Sequence, residues 1–296
     1  QIRQSIIKEM REHLHNDEGL VPWSYFDYDF SNAYFFYFTD FTRSHFDGSL
    51  NFTEARFTEA DFSEARFTEA DFSEAEFTGF ANFSGAEFTD ASFSRAKFTE
   101  ADFSEAKFTR FASFSRAEFT EADFSEAKFT RFANFSGAEF TDANFSGAKF
   151  TDANFSGAKF TDANFSGAKF IEASFFRAEF TDASFLRAKF IEASFFRAEF
   201  TDSSFSAAEF NGNADFHKAA FENKPIFEYT LDNKTYKARF SCKVAPGDYN
   251  FEVSHISPYK IETEEQEHNG VKFIIPKGTE LFDPDEHSGQ KFPNNI

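Results

Sequence analysis

The stretch ANFSG, from Ala153 to Gly157, decides the fold of this chain because its pattern recurs at almost every fifth residue. Ala60 to Glu64 reads ADFSE in the same phase, and phenylalanine keeps the interval from about Phe52 to Phe210. A period of five fits neither the 3.6-residue period of a helix nor the two-residue period of a strand. Short units repeated this often predict a solenoid whose coil is a multiple of five residues.

Phenylalanine and alanine form the predicted core. The chain has 52 Phe among 296 residues, and the Ala two positions before each Phe is small enough to lie beside a large ring. Two of every five side chains would then point inward and the other three outward. Stacked strands lie about 4.8 Å apart, so about nine or ten coils predict a rod on the order of 45 Å long.

The tandem A-(D/N)-F-(S/T)-x unit resembles the pentapeptide-repeat family over about residues 30 to 221. The resemblance implies an all-β fold, a right-handed quadrilateral parallel β-helix. Four pentapeptides would make each square coil of twenty residues. The family's functions are mostly unknown, so the resemblance predicts architecture better than activity.

The two ends of the chain differ from the repeat. Residues 2–15 place Ile6, Met10 and Leu14 at helical spacing, so residues 1–22 are predicted to be a capping helix and linker. The β-helix is expected over residues 23–221. Residues 222–296 contain several Pro and short alternating runs, which predict a small β-rich capping region with a loose tail after Pro284.

Composition excludes several function classes. The formal net charge of −20 argues against direct nucleic-acid binding, because phosphate contacts need clustered Lys and Arg. No run of 18 apolar residues and no signal segment is found, so no membrane partner is expected and the predicted location is cytoplasmic. The chain begins at Gln1 and not at Met, which leaves N-terminal trimming open.

The sequence also lacks recognisable catalytic and metal-binding motifs. Cys242 is the only cysteine, and none of the seven His stands near it at zinc-ligand spacing. Glycine-rich phosphate loops, H-E-x-x-H and G-x-S-x-G are missing. We therefore expect no enzyme, no metal site and no cofactor.

Some intervals between core Phe residues are six residues long and not five. The extra residue is Phe38, Phe80, Phe111 or Phe132, and Ser49 in a fifth case. Such insertions are predicted to form bulges at corners of the coil. Phe111 should then stack on Phe132, with the other two Phe on the opposite side. The favoured interpretation is that these rings fill loosened corners, and a partner-binding stripe is the alternative.

One candidate site is a group of large apolar residues at positions that are otherwise Ser or Thr. Residues twenty apart stack, so Ile171 should lie against Ile191 and Phe176 against Phe196. A soluble monomer rarely leaves such an apolar patch uncovered. The C-terminal region folding back is the preferred cover, and a homodimer or another partner is the alternative. The apolar patch comprises Ile171, Phe176, Leu186, Ile191 and Phe196.

A second candidate site is an acidic stretch over residues 54–76, where only Arg56 and Arg66 offset the carboxylates. Glu54 should stack on Glu74, which is mildly unfavourable. A solvated face is the default interpretation, and a binding site for a basic partner is the alternative. The predicted acidic patch comprises Glu54, Glu59, Asp61, Glu64, Glu69, Asp71, Glu74 and Glu76.

These features favour a non-catalytic scaffold, a rigid acidic rod that presents its faces to a protein partner. The alternative rests on the family resemblance: some pentapeptide-repeat proteins are DNA mimics that bind DNA gyrase and pair through their C-terminal ends. This chain instead has about 75 residues after Phe221. Carbohydrate binding by that C-terminal region is a third hypothesis, based only on its composition.

Overall fold

The computed structural model describes residues 2–15 and 23–286. They form a parallel β-solenoid of about 9 turns with one short helix at the N-terminus, which confirms the predicted fold class. Residues 16–22 of the predicted linker, and residues 287–296 of the predicted tail, lie outside the described residues.

Two long parallel sheets build the rod, and along most of the chain successive strands alternate between them. Sheet 1 contains β1 (Tyr28–Asp29), β4 (His45–Asn51), β7 (Arg66–Asp71), β9 (Glu87–Ser92), β11 (Lys107–Ser113), β13 (Lys128–Asn134), β15 (Lys149–Asn154), β17 (Lys169–Ser174), β19 (Lys189–Ser194), β21 (Glu209–Phe210), β22 (Ala214–Asp215), β26 (Arg239–Ser241), β27 (Tyr249–Asn250) and β30 (Glu280–Phe282). Sheet 2 contains β2 (Tyr34–Phe35), β3 (Thr39–Asp40), β5 (Arg56–Phe57), β6 (Ala60–Asp61), β8 (Glu76–Asn82), β10 (Lys97–Asp102), β12 (Glu118–Asp123), β14 (Glu139–Asn144), β16 (Lys159–Asn164), β18 (Glu179–Ser184), β20 (Glu199–Ser204) and β23 (Ala220–Phe221).

Tight turns connect the strands of each coil. In the turn from Phe155 to Ala158 the Ala N–H donates to the Phe carbonyl at 3.0 Å. The third turn residue is left-handed, as type II turns require: Gly157 has φ +65° and Arg177, one coil later, has φ +55°. A side chain in this conformation costs about 1–2 kcal/mol, so the turns with Glu or Arg are held by the packing around them.

The core is a set of stacked phenylalanine columns. The Phe155 ring lies parallel to those of Phe135 and Phe175, with centroid distances of 4.8 and 5.0 Å. It meets Phe150 edge to face at 5.4 Å. Phe155 and Ala153 are both buried, which confirms that Phe and Ala point inward.

Helix α1 (Ile2–Leu14) closes the N-terminal end of the rod. Met10 and Leu14 are buried against the core. Arg11 forms an ion pair with Asp40, and His15 Nε2 lies 2.8 Å from the carbonyl oxygen of Thr42. The helix therefore covers the first coil, as predicted for an end whose strand edges would otherwise be open.

The core continues beyond Phe221, where the regular repeat ends. Phe227 stacks on Phe205 at 5.7 Å, Phe240 on Phe210 at 4.7 Å and Phe251 on Phe216 at 5.8 Å. Strands β26 and β27 pair in parallel with β21 and β22, and β30 pairs with β26. A short 3₁₀ helix spans Pro246–Asp248. The C-terminal region thus stacks on the end of the rod.

Two antiparallel hairpins interrupt this last part of the solenoid. They consist of β24 (Glu228–Leu231) with β25 (Lys234–Lys237), and of β28 (Thr263–His268) with β29 (Val271–Pro276). The hairpins account for the loss of the five-residue interval in the sequence. The domain limits 1–22, 23–221 and 222–296 stay a prediction, although the parallel ladder crosses residue 221.

Four of the six-residue intervals, those after Phe46, Phe77, Phe108 and Phe129, form bulges. The register shifts opposite β4, β8, β11 and β13, the strands that are seven residues long. These bulges lie within strands, between the inward Phe and the inward Ala, and not at the tight turns. Phe111 stacks on Phe132 at 6.0 Å, as predicted, and Phe80 lies in the other sheet.

Candidate protein-binding faces

A column of carboxylates runs along the outer face of sheet 2. It occupies the position just before the inward Ala of each strand, where consecutive residues pair in register. All of its members are exposed. We call this column the acidic ladder; its residues are Glu100, Glu121, Asp142, Asp162, Asp182 and Asp202.

The acidic ladder has no neutralising partner within the described parts of the chain. Among those residues no ion pair involves any member, and Asp202 accepts a hydrogen bond from Asn223 Nδ2 at 3.0 Å. Neighbouring coils are about 4.8 Å apart, so the column extends over roughly 24 Å. Like charges opposite each other in a sheet are destabilising, so stability does not explain this arrangement.

A second outward column on sheet 2 lies just before each inward Phe. Lys97 pairs with Glu118 at 3.6 Å and Lys159 with Glu139 at 3.3 Å, whereas Glu179 and Glu199 are neighbours in register. Together the two columns contain ten acidic and two basic side chains between residues 97 and 202. The outer face of sheet 2 is therefore strongly acidic.

The outer face of sheet 1 carries a column of lysines just before each inward Phe, the position that holds both Lys and Glu on sheet 2. Lys107 forms an ion pair with Glu87 at 2.7 Å and Lys189 with Glu209 at 2.9 Å, so the column is neutralised at its ends. The column, here called the lysine ladder, consists of Lys107, Lys128, Lys149, Lys169 and Lys189, all paired in register. Sheet 1 also carries Asp152, Glu172 and Glu192 just before the inward Ala, so its outer face is of mixed charge with lysine in excess, whereas that of sheet 2 is strongly acidic.

The structure distributes the predicted acidic patch around the coil. Glu54 and Glu74 share one column of turns, as their hydrogen bonds to Ser73 and Ser94 show, and Glu64 lies in the other column. Glu59 is in the loop leading into β6, in sheet 2, whereas Glu69 is in β7 of sheet 1. These carboxylates thus belong to several sides of the rod.

Most of the other members of the predicted patch have local partners. Asp61 and Asp71 accept backbone N–H groups of the following turns at 2.9 and 2.8 Å. Three glutamates pair with arginines, in Arg43–Glu64 at 2.9 Å, Arg95–Glu74 at 3.0 Å and Arg56–Glu76 at 3.2 Å. The Arg43 guanidinium lowers the pKa of the Glu64 carboxyl through its hydrogen bond and charge.

The apolar patch also divides among different sides. Ile171 and Ile191 lie in β17 and β19 of sheet 1, and Phe176 stacks on Phe196 at 5.7 Å in one column of turns. Leu186 belongs to the other column of turns, since its carbonyl accepts the Gly167 N–H. All five side chains are half-buried.

Neighbouring cations and one histidine contact the two aromatic members of this patch. His217 extends the stack, with its ring 5.6 Å from that of Phe196. The Arg177 and Arg197 guanidinium groups lie over Phe176 and Phe196 at 5.0 and 5.3 Å. Lys218 N–H donates to the carbonyl of Glu252 at 2.8 Å, so the C-terminal region continues this column of turns, and cover of the apolar patch by that region stays a prediction.

A cleft of about 830 Å³ separates this corner from the C-terminal region. Its lining includes five basic residues, Arg177, Arg197, Lys218, His255 and Lys260. Glutamates are interspersed among them, so the cleft has no single sign of charge. Within residues 2–15 and 23–286, no helix is long and apolar enough to cross a membrane.

Comparison with known proteins identifies the repeats. Two family models described as pentapeptide repeats match the chain, one over residues 110–138, 131–167, 158–195 and 173–212, the other over residues 30–76, 62–107 and 72–118. No curated protein matches the sequence.

Solved structures show a distant likeness. One is the crystal structure of HetL from the cyanobacterium Nostoc sp. strain PCC 7120, a pentapeptide repeat protein involved in heterocyst differentiation regulation. It is 23% identical, with 63% of this chain and 86% of that chain covered and a TM-score of 0.31. Another is trypsin-treated QnrB1, a plasmid-mediated fluoroquinolone resistance protein. It is 22% identical, with 58% and 76% covered and a TM-score of 0.35. Likeness at this level concerns the fold alone.

Proposed function

Because this chain belongs to the pentapeptide-repeat family, whose repeats build its rod, we propose that it is a non-catalytic scaffold that binds a protein partner through the acidic face of sheet 2. The observation that carries the proposal is the acidic ladder, from Glu100 to Asp202. Its carboxylates are in register, exposed and without ion pairs in the described residues.

The core makes this face suitable for recognition. Each carboxylate is attached to a strand whose inward Phe is stacked on both sides, for example Phe160 between Phe140 and Phe180 at 5.0 Å each. A rigid column loses little conformational entropy when a partner binds. Cationic groups of a partner would also relieve repulsion between neighbouring carboxylates, and the field would accelerate the encounter. A basic protein surface is therefore the expected partner.

Affinity capture with matched variants tests the proposal. The ladder variant replaces Glu121→Gln, Asp142→Asn, Asp162→Asn and Asp182→Asn. The control variant removes the same number of charges elsewhere, through Glu105→Gln, Glu126→Gln, Glu172→Gln and Glu192→Gln. A basic protein that binds the wild type and the control but not the ladder variant supports the proposal. Equal capture by all three proteins contradicts it.

The predicted acidic patch remains a separate proposal with its own variant. Glu54, Glu64 and Glu74 are reversed to Lys in a second experiment. Because these residues lie at the turns and not on the outer face of sheet 2, we expect the sheet 2 partner to be retained. If only this variant loses that partner, the binding face is at the turns and not on sheet 2.

Mimicry of DNA is a second candidate function, favoured by the density of charge on sheet 2. Ten carboxylates and two lysines over roughly 24 Å give a net density of about one negative charge per 3 Å, compared with one per ≈1.7 Å of duplex axis. The lysine ladder makes the opposite side unlike DNA, which would confine mimicry to one face. Gyrase supercoiling in the presence of the protein tests this function. Unchanged activity at micromolar protein would remove it without affecting the scaffold proposal.

The oligomeric state and the hypothesis of carbohydrate binding need separate measurements. Light scattering after size-exclusion chromatography tests the homodimer, which a strictly monomeric mass at high concentration would exclude. A glycan array tests carbohydrate binding by the C-terminal region.

A further inference from the structure

We propose that Cys242, His268 and Asp283 form a binding site for a divalent transition metal, with Zn²⁺ as the best match, in the C-terminal part of the rod. One ligand atom of each residue, the Cys Sγ, a ring nitrogen of the His and a carboxylate oxygen of the Asp, lies within 4.8 Å of the other two. All three side chains are half-buried.

Three different elements bring these side chains together. Cys242 follows β26, whose Phe240 stacks on the core at 4.7 Å from Phe210. His268 is the last residue of β28, and Asp283 follows β30. Because Cys242 and Asp283 are far apart in the sequence, no local sequence motif predicts the site.

Backbone and side-chain hydrogen bonds hold these elements in place. Cys242 N–H donates to the carbonyl of Phe282 at 2.9 Å, which fixes the thiol beside Asp283. Gln266 connects β28 to β30, since its amide donates to the Thr279 carbonyl at 2.9 Å and accepts the Leu281 N–H at 3.2 Å. The ligands therefore converge without help from the metal.

The donor set suits zinc. Zn²⁺ binds Cys sulfur at about 2.3 Å, and His nitrogen and Asp oxygen at about 2.0–2.2 Å, in tetrahedral geometry. Ligand atoms around such an ion are roughly 3.3–3.8 Å apart, so the cluster would close by at most about 1.5 Å on binding. Thiolate and imidazole favour zinc or cobalt over magnesium and calcium. Three protein ligands leave a fourth position for water.

Lys243 competes with the metal at the carboxylate. Its Nζ lies 2.8 Å from Asp283 Oδ2 and 3.4 Å from Asp285 Oδ2. The other oxygen of Asp283 accepts the Asp285 N–H at 2.9 Å. The Lys243 side chain is half exposed and can turn to Asp285, so that a metal ion takes its place at Oδ2. Binding would then connect the second hairpin and β30 to the last coil.

Cobalt titration tests the site in the full chain, with any affinity tag removed and metal stripped by a chelator. Wild-type protein should bind one Co²⁺ with thiolate-to-cobalt charge-transfer absorption in the near ultraviolet, and Zn²⁺ should abolish this absorption. Cys242→Ser should lose the absorption, and His268→Ala and Asp283→Asn should each weaken binding at least about tenfold. His255→Ala, which changes a histidine outside the cluster, should bind as the wild type does.

Thermal unfolding provides a second readout. Zn²⁺ should raise the Tm of the wild type and of His255→Ala, because a ligand that binds only the folded state stabilises it. The Tm of Cys242→Ser should not respond, while its circular dichroism without metal should match that of the wild type. Absence of the charge-transfer absorption in folded wild-type protein, or binding unchanged by His268→Ala and Asp283→Asn, would overturn the proposal.

Discussion

Asp162 and Asp182 pair in register on neighbouring strands of sheet 2, with both carboxylates exposed. Two like charges in this relation destabilise a sheet by roughly 0.2–1 kcal/mol. The same relation repeats along the acidic ladder from Glu100 to Asp202. We interpret this repeated unfavourable arrangement as a surface for a partner of opposite charge.

Neutralising one member of the acidic ladder should stabilise the rod. Asp162→Asn removes repulsion from Asp142 and Asp182, so we expect a higher Tm at low ionic strength. The gain should vanish near 1 M salt, where the Debye length is about 3 Å. Lys159→Gln, which breaks the pair with Glu139, should have the opposite effect. A gain for Asp162→Asn that persists at high salt would show that repulsion is not its cause.

Truncating one core ring should be costly. Phe155→Ala removes a fully buried ring that stacks on Phe135 and Phe175, and the cavity should cost about 3–5 kcal/mol. Asn154→Ala, the neighbouring control, removes an acceptor for the Ser156 N–H at 3.0 Å and a long hydrogen bond to Asn134 Oδ1 at 3.5 Å, and should cost about 1 kcal/mol. Denaturant unfolding measures both, and equal costs would contradict the inward and outward assignment.

The close approach of backbone at Gly212 should make this glycine hard to replace. A Cβ there would collide with the carbonyl of Ile191 in the coil below. Backbone cannot yield as a flexible side chain can, so we expect Gly212→Ala to lower the Tm markedly. Gly247→Ala is the control, because a Cβ at that position meets nothing. Similar Tm values for both variants would show that the two coils can separate locally at little cost.

Glu87 should contribute to the acid sensitivity of the fold. Its hydrogen bond from Lys107 lowers its pKa below the ordinary 4.5. A depressed folded-state pKa gives stability that is present above the unfolded value and lost as the pH falls through the folded value. Unfolding free energy measured from pH 6 downward should therefore decline less in Glu87→Gln than in the wild type. Glu105→Gln serves as the control, and identical pH profiles for Glu87→Gln and the wild type would contradict this role.

The sequence predicts the regular part of the structure well, because each five-residue unit shows which of its side chains are buried. Burial of Phe155 and stacking of Phe111 on Phe132 both follow from the interval between phenylalanines. The stacking of Phe240 on Phe210 cannot be predicted from this interval, because hairpins separate the last core rings in the sequence. Local periodicity carries no information across such insertions.

The candidate binding faces follow less directly from the sequence. The acidic ladder could have been found by comparing the residue before each inward Ala at intervals of twenty or 21, as with Glu100 and Glu121. The prediction of the acidic patch rested on charges counted along the chain. Because consecutive residues of a coil lie on different sides of the rod, such a count does not identify a single face. Convergence of Cys242 with His268 depends on the fold of the hairpin, which has no signal in their spacing.

The most direct test of the central claim is the affinity of the captured partner for three proteins at several salt concentrations. These are the wild type, the ladder variant and the control variant with the same net charge. We expect the ladder variant to lose at least about tenfold in affinity, because several charge pairs are removed, and to lose most of the salt dependence. The control variant should keep the wild-type affinity and its salt dependence. Equal affinity of the ladder and control variants would contradict the assignment of the binding face to sheet 2.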